Sequence, residues 1–176
     1  MKIAVYCASA SDLPQEFINV AKAAGEWIGA SGHTLIYGGV NAGLMHVVAE
    51  ETHRNGGKVV GVVPERFKHR ADPIADVTIL SQDLSDRKAI MIATADAFLV
   101  LPGGIGTIDE WLSTVSQMKV DGNAKPVIVA NVNGIFSPTL AQIELTRQGI
   151  LVGGGNVGDC AVAEDEEQLI NELNKL

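Results

Sequence analysis

Only two of the 176 residues are cysteine, Cys7 and Cys160. They lie far apart and make neither a CxxC pair nor a zinc-ligand spacing, which excludes a disulfide-stapled scaffold and a zinc ribbon. Small buried thiols in a reducing compartment fit them better. Basic residues are scarce too: 13 Lys and Arg stand against 21 Asp and Glu, for a formal net charge of -8 and a pI of about 4.9. A general nucleic-acid binder carries a basic surface, so that class is disfavoured, and only a local basic site for a small anion stays open. No apolar run approaches the ~20 residues of a membrane span. The opening MKIAVYCASA is too short in its apolar part for a secretory signal and reads as a β-strand. Four histidines, His33, His46, His53 and His69, form no metal-ligand set. The expectation is a cytoplasmic protein with no metal, no cofactor, no membrane and no nucleic acid as partner.

What is present is glycine, with 19 residues, and apolar sequence, at 47%. The length suits one domain over residues 1–176, large enough to bury a core without staples. Short apolar runs at 2–8, 34–37, 58–63, 77–80, 97–101, 126–131 and 161–163 read as strands. Segments 14–30, 44–54, 83–95, 107–120, 138–148 and 164–175 read as helices. In the first helix Phe17, Val20, Ala21, Ala24, Trp27 and Ile28 share a face, Asp12 is the expected cap, and Pro14 sits in the first turn. Gly149 closes the fifth helix, and acids at the start of the last one with Lys175 at its end suit the helix dipole. The charged stretch 65–76 reads as a surface loop or lid, and 152–158, with four glycines, as a mobile loop. Continuous apolar strands alternating with helices imply a parallel sheet covered on both faces. The fold class is α/β: a Rossmann-like, doubly wound sheet of about seven parallel strands.

Ligands of such sheets bind at the carboxyl ends of the strands, where three loops attract notice. Cys7-Ala8-Ser9-Ala10-Ser11 follows the first strand without a glycine, so the GxGxxG dinucleotide fingerprint is missing, and a nicotinamide-dependent oxidoreductase is disfavoured. Ser9 and Ser11 still offer hydroxyls to an anion, or simply begin a helix. Tyr37-Gly38-Gly39-Val40-Asn41-Ala42-Gly43 has P-loop-like spacing, but Leu44-Met45 replaces Lys-Ser/Thr, which disfavours ATP hydrolysis by that route. Gly38 and Gly39 permit either a close ligand approach or a plain turn.

The third loop, Leu101-Pro102-Gly103-Gly104-Ile105-Gly106-Thr107-Ile108-Asp109-Glu110, fits two readings. The amides of Gly104, Ile105, Gly106 and Thr107 can converge on one anion at a helix N-terminus. Alternatively Thr107 and Glu110 form a capping box. Three glycines before the cap exceed what a cap requires, which favours the anion cradle. Arg87 and Lys88 open the preceding helix, an unfavourable place for cations that a bound anion or a nearby carboxylate compensates. Trp27 and Trp111 fall in helical patterns and read as core or interface residues.

Together these segments resemble the Lonely Guy family of cytokinin riboside 5′-monophosphate phosphoribohydrolases, many of which carry the label "lysine decarboxylase". Pro102–Glu110 matches the signature PGGxGTxxE in full, Arg87-Lys88 matches an Arg-Lys pair, and Tyr37-Gly38-Gly39 with Gly43-Leu44-Met45 matches YGGGxxGLM. The sequence departs from the family pattern at Val40, at Ser85-Asp86 and at the Cys-Ala-Ser-Ala of the first loop. The resemblance implies hydrolysis of the N-glycosidic bond of a nucleoside 5′-monophosphate, AMP or an N6-modified AMP, to free base and ribose 5-phosphate. It implies Arg87 and Glu110 as catalytic residues. It implies Ser9, Gly38, Gly39, Lys88, Gly103, Gly104, Ile105, Gly106, Thr107 and Asp109 as substrate-binding, and a homodimer. The role of Arg87 stays open between holding the phosphate, holding the leaving base and fixing Glu110. Decarboxylation is disfavoured, because a pyridoxal phosphate enzyme needs a Schiff-base lysine and neither Lys88 nor Lys119 sits in a supporting motif. The alternative is a non-catalytic nucleotide or molybdenum-cofactor carrier of related fold.

Overall fold

The first strand, β1 (Lys2–Tyr6), is buried at every position but Lys2, and the rest of the chain winds outward from it in both directions. The computed structural model describes residues 1–147 and 160–176. Within them β2 (Thr34–Tyr37), β3 (Lys58–Pro64) and β4 (Val77–Ser81) extend the sheet on one side of β1. On its other side lie β5 (Ala97–Val100), β6 (Val127–Ala130) and β7 (Cys160–Ala163). The order is β4-β3-β2-β1-β5-β6-β7 and every neighbouring pair is parallel. The connections carry α1 (Gln15–Ala30), α2 (Gly43–Arg54), α3 (Leu84–Thr94), α4 (Ile105–Asp121) and α5 (Ser137–Arg147), and α6 (Glu166–Leu173) follows β7. This is the Rossmann-like, doubly wound α/β fold expected from the sequence.

Strand side chains alternate between the two faces, and each face is covered. Ile3 and Val5 pack with Val20 of α1, Leu44 of α2 and Leu169 of α6. Ala4 and Tyr6 pack with Met91 of α3, Trp111 of α4 and Phe136. A fully buried large aliphatic side chain contributes about 1.5–3 kcal/mol, so these two layers dominate the stabilisation of the sheet. The winding direction reverses between β1 and β5, and the crevice at the carboxyl ends of those two strands is where such folds receive ligands.

Several boundaries differ from the sequence expectation, each for a local reason. Asp12 does not cap α1; Pro14 is the N-cap, and its carbonyl accepts from Phe17 N at 3.1 Å and Ile18 N at 3.3 Å. Trp27 is only partly buried, and its indole N–H donates to Asn174 Oδ1 at 2.7 Å, tying α1 to the segment after α6. Pro64 ends β3 from inside the strand. Helix α4 starts at Ile105, two residues earlier than expected, because extended Gly104 serves as its N-cap. Helix α6 starts at Glu166 behind the Asp165 cap, whose carboxylate accepts from Gln168 N at 2.8 Å, and Lys175 lies beyond its last turn. The expected closure of α5 at 148–149 and the glycine-rich loop 152–158 lie outside the described residues.

Segment 65–76 is more ordered than a surface loop. It opens with a 3-10 turn, Glu65–Arg70, and then pairs with the loop after β2. Asn41 N donates to Arg70 O at 3.1 Å and Asp72 N to Gly39 O at 2.8 Å, around an antiparallel bridge between Val40 and Ala71. Asp72 is buried, and its carboxylate meets His46 Nδ1 at 2.8 Å and accepts from Ile74 N at 3.2 Å.

Candidate active site

Four loops meet over the β1–β5 crevice. The chain leaving β1 is held in place by Ala8 N donating to Pro102 O at 3.0 Å and by Leu44 N donating to Ala8 O at 2.9 Å. The second contact requires glycine at position 43: its φ is +53°, and a Cβ there would lie 2.3 Å from Ala10 O. After β5, Gly103 brings the backbone round to α4, and a Cβ on it would lie 2.1 Å from Thr107 Oγ1. The loops enclose a cavity of about 440 Å³, lined among others by Ser9, Met45, Arg87, Ile105, Thr107 and Glu110.

One wall of this cavity is the N-terminus of α4. The first amides of a helix have no intrahelical acceptor, and Gly104 as N-cap offers no side chain to take them. Ile105, Gly106 and Thr107 therefore present unsatisfied N–H groups at the positive end of a seventeen-residue helix (Ile105–Asp121), a ready place for a phosphate. The capping box is absent: Thr107 lies inside the helix and Glu110 a further turn along it.

The floor is an ion pair. Asp83 caps α3 by accepting from Ser85 N at 2.8 Å and Asp86 N at 2.9 Å, which fixes the register that delivers Arg87. Lys125 anchors the other end of that helix, donating to Ile92 O at 3.0 Å and Ala95 O at 2.6 Å. Arg87 Nη2 donates to Glu110 Oε1. Both side chains are withdrawn from water, at 12% and 4% exposure. The Arg87 Nε–H is buried with no acceptor, so the guanidinium keeps an unused donor. Burial pushes the Glu110 carboxyl up to about 7, against the opposing pull of Arg87. Beneath it, Thr114 Oγ1 donates to Glu110 O at 2.9 Å and shares a hydrogen bond with the Tyr6 hydroxyl at 2.8 Å. Burial raises both the Tyr6 phenol and the Cys7 thiol well above their ordinary values, so Cys7 lines the cavity as a neutral thiol rather than a nucleophile.

The structure thus brings Ser9, Arg87, Gly104, Ile105, Gly106, Thr107 and Glu110 around one space. Gly103 supports it from behind Thr107. Gly38 lies beneath Met45 and Arg87, where a Cβ would come within 3.2 Å of Arg87 Nη1. Gly39 packs on β3 against Val63 and Gly61. Lys88 and Asp109 point elsewhere: Lys88 Nζ meets both Asp109 oxygens at 2.8 Å and Ser113 Oγ at 3.0 Å. Lys88 borders a second hollow between α3 and α4, of about 580 Å³, with no glycine among its lining residues. Phe67 and Arg70 of the 3-10 turn also line the first cavity and were not singled out in the sequence. The signal for them was positional, since they follow the carboxyl end of β3, the edge where this fold binds ligands.

Fold and cavity define a class: a doubly wound α/β protein with a helix N-terminus that has no side-chain cap beside a buried carboxylate–guanidinium pair. A family model described as "possible lysine decarboxylase" matches residues 45–173. The cytokinin riboside 5′-monophosphate phosphoribohydrolase LOG of Oryza sativa subsp. japonica is 33% identical over 172 residues, 96% of this chain and 66% of that protein. The cytokinin riboside 5′-monophosphate phosphoribohydrolase of Mycobacterium marinum is 38% identical over 136 residues, 76% of this chain and 72% of its own. The chain belongs to this family, the Lonely Guy family of the resemblance. The chain spans just under two thirds of the rice relative. Among solved structures, the molybdenum cofactor carrier protein of Chlamydomonas reinhardtii superposes with a TM-score of 0.76 at 21% identity, over 99% of this chain and 96% of that one. At that identity the likeness shows a common fold and no more.

Proposed function

We propose that the protein hydrolyses the N-glycosidic bond of a nucleoside 5′-monophosphate to a free base and ribose 5-phosphate. The observation that carries this reading is the buried Arg87–Glu110 pair set directly below the open amides of α4. The 5′-phosphate sits on the amides of Ile105, Gly106 and Thr107, with the Ser9 and Thr107 hydroxyls beside it. This places the ribose over Glu110. Cleavage breaks the C1′–N bond, and its electron pair leaves on the base nitrogen. Positive charge develops on C1′ and the ring oxygen. The Glu110 carboxylate stabilises that charge and orients the water that adds to C1′, and the proton released from the water ends on the departing base. Arg87 holds Glu110 in place and favours its ionised form.

Support comes from the names of the two curated relatives, both phosphoribohydrolases, whereas no lysine is among the described residues that line the cavity, and Lys88 is engaged by Asp109 and Ser113 outside it. The seven-stranded sheet runs through both described segments, which supports one nucleotide-binding domain over residues 1–176. Exposed apolar Leu112 and Val120 on α4, with Leu84 on α3, support a homodimer. The test is chromatography of the protein incubated with AMP and with N6-isopentenyl-AMP. Free base with an equal amount of ribose 5-phosphate is the expected result. Binding of either nucleotide without release of base overturns the hydrolytic reading and advances the carrier.

A further inference from the structure

Three walls of the cavity have work under that reading: the α4 amides for phosphate, the Arg87–Glu110 floor for the glycosidic bond, and Ser9 for the sugar-phosphate. The fourth wall, made by the 3-10 turn Glu65–Arg70 with Val40 and Met45 beside it, has none. We infer that this turn reads the base, with Phe67 stacking on a purine ring and Arg70 donating to its ring acceptors. The inference rests on the proposed nucleotide substrate and names which part of it the turn recognises.

Phe67 is half-buried, and the Arg66 guanidinium covers its ring at 4.7 Å from the centroid. That contact covers part of the ring, and Phe67 also lines the cavity. A flat apolar wall of Val40, Met45 and Phe67 suits a heteroaromatic base far better than a phosphate or a sugar. Removing the aromatic partner of a stacked base lowers affinity by about fivefold to a hundredfold.

Two arginines line the cavity. Arg87 is paired with Glu110, but the exposed Arg70 guanidinium meets no acceptor among the described residues. A group with five donors and no acceptor of its own, at the mouth of a cavity, matches the lone pairs of purine ring nitrogens.

The wall is fixed in advance. The Val40–Ala71 bridge, the Asp72 N to Gly39 O bond and the buried Asp72 carboxylate on His46 pin the turn to the loop after β2. It therefore reads the base as a preformed surface, not as a lid that closes on it.

The test compares wild type with Phe67→Ala, Phe67→Leu and Arg70→Ala, each built also on Glu110→Gln so that nucleotide survives calorimetry. Affinities for AMP, CMP and ribose 5-phosphate are measured, with thermal melts as a check on folding. Phe67→Ala and Arg70→Ala are expected to weaken AMP at least fivefold and to leave ribose 5-phosphate, which has no base, unchanged. Phe67→Leu keeps the apolar bulk and is expected to lose the preference for AMP over CMP. If Arg70→Ala weakens ribose 5-phosphate as much as AMP, Arg70 holds phosphate and the inference is wrong. Unchanged AMP affinity in all three variants overturns it as well. Failure of wild type to release base, with these binding ratios intact, sinks the hydrolytic reading but upholds base recognition by the turn.

Discussion

Arg87 of α3 and Glu110 of α4 lie 23 positions apart in the chain and meet in a hydrogen-bonded ion pair from which water is largely excluded. Such a pair has an asymmetric energetic profile. The intact pair contributes little net stability, because desolvating both charges offsets their attraction, while removing one partner strands the other and costs about 3–5 kcal/mol. The proposed reaction gives this pair a role that stability alone does not.

Arg87→Met is therefore expected to destabilise the fold by about 3 kcal/mol or more, since Glu110 is left buried alone. Adding Glu110→Gln removes the stranded charge and is expected to recover most of that loss without restoring turnover. Urea denaturation of the two single variants and the double variant reads the coupling. Additive losses would show that the two groups do not form one unit.

Glu110→Gln alone is expected to cut kcat by about a thousandfold, on the scale of removing one preorganised transition-state contact, with nucleotide affinity within a fewfold of wild type. Near-normal turnover would remove Glu110 from the chemistry.

The pH dependence has a definite sign. Burial raises Glu110 to about 7, so the carboxylate is the minor form below neutrality. If the carboxylate stabilises the developing cation, kcat/KM rises with pH through about 7 and then levels off. A limb centred near 6 would instead report the second ionisation of the nucleotide phosphate. Stability runs the other way. Between the ordinary carboxylate pKa of 4.5 and about 7 the folded state holds a proton that the unfolded state releases, so stability falls as pH rises across that window. The Glu110→Gln variant is expected to lose that slope in a series of melts between pH 4 and pH 8.

The sheet was legible because its signal is dense. Strands buried on both faces read as unbroken apolar runs, and β2 falls at the expected residues. The loop that lines the cavity before α4 was legible as a glycine cluster between strand and helix. The start of α4 was missed because Thr107 looks like a cap, whereas glycine at 104 lets the helix begin earlier with no side-chain cap at all. That shift of two residues decides between a capping box and an interior, buried Glu110. The pinned turn at 65–76 was missed because its order comes from partners 25 or more residues away: Asp72 is held by His46 and Gly39, a contact no local pattern encodes.

Lys88 and Asp109 separate the resemblance from the geometry. Their ion pair is partly exposed, at 19% and 56%, and joins α3 to α4 outside the cavity. An exposed pair of this kind contributes about 0–1 kcal/mol. Lys88→Met is expected to change Tm by only a few degrees and kcat/KM by less than tenfold, in contrast to Arg87→Met. A loss of a hundredfold or more at an unchanged Tm would place Lys88 on the substrate instead.

The two glycines flanking the cradle make opposite predictions. A Cβ at Gly103 collides with Thr107 Oγ1, so Gly103→Ala must displace the hydroxyl or the turn and is expected to lower both stability and activity. A Cβ at Gly106 meets nothing within 4 Å, and Gly106 lies inside α4, where alanine is the better helix former by about 1 kcal/mol. Gly106→Ala is thus expected to leave the melt unchanged or raise it slightly. The open space next to Gly106 is the space assigned to phosphate. An added methyl group there is expected to raise KM for nucleotide and weaken ribose 5-phosphate by about tenfold, while kcat changes little. A variant that is more stable and binds ribose 5-phosphate as well as wild type would show that the phosphate does not approach the helix at this turn.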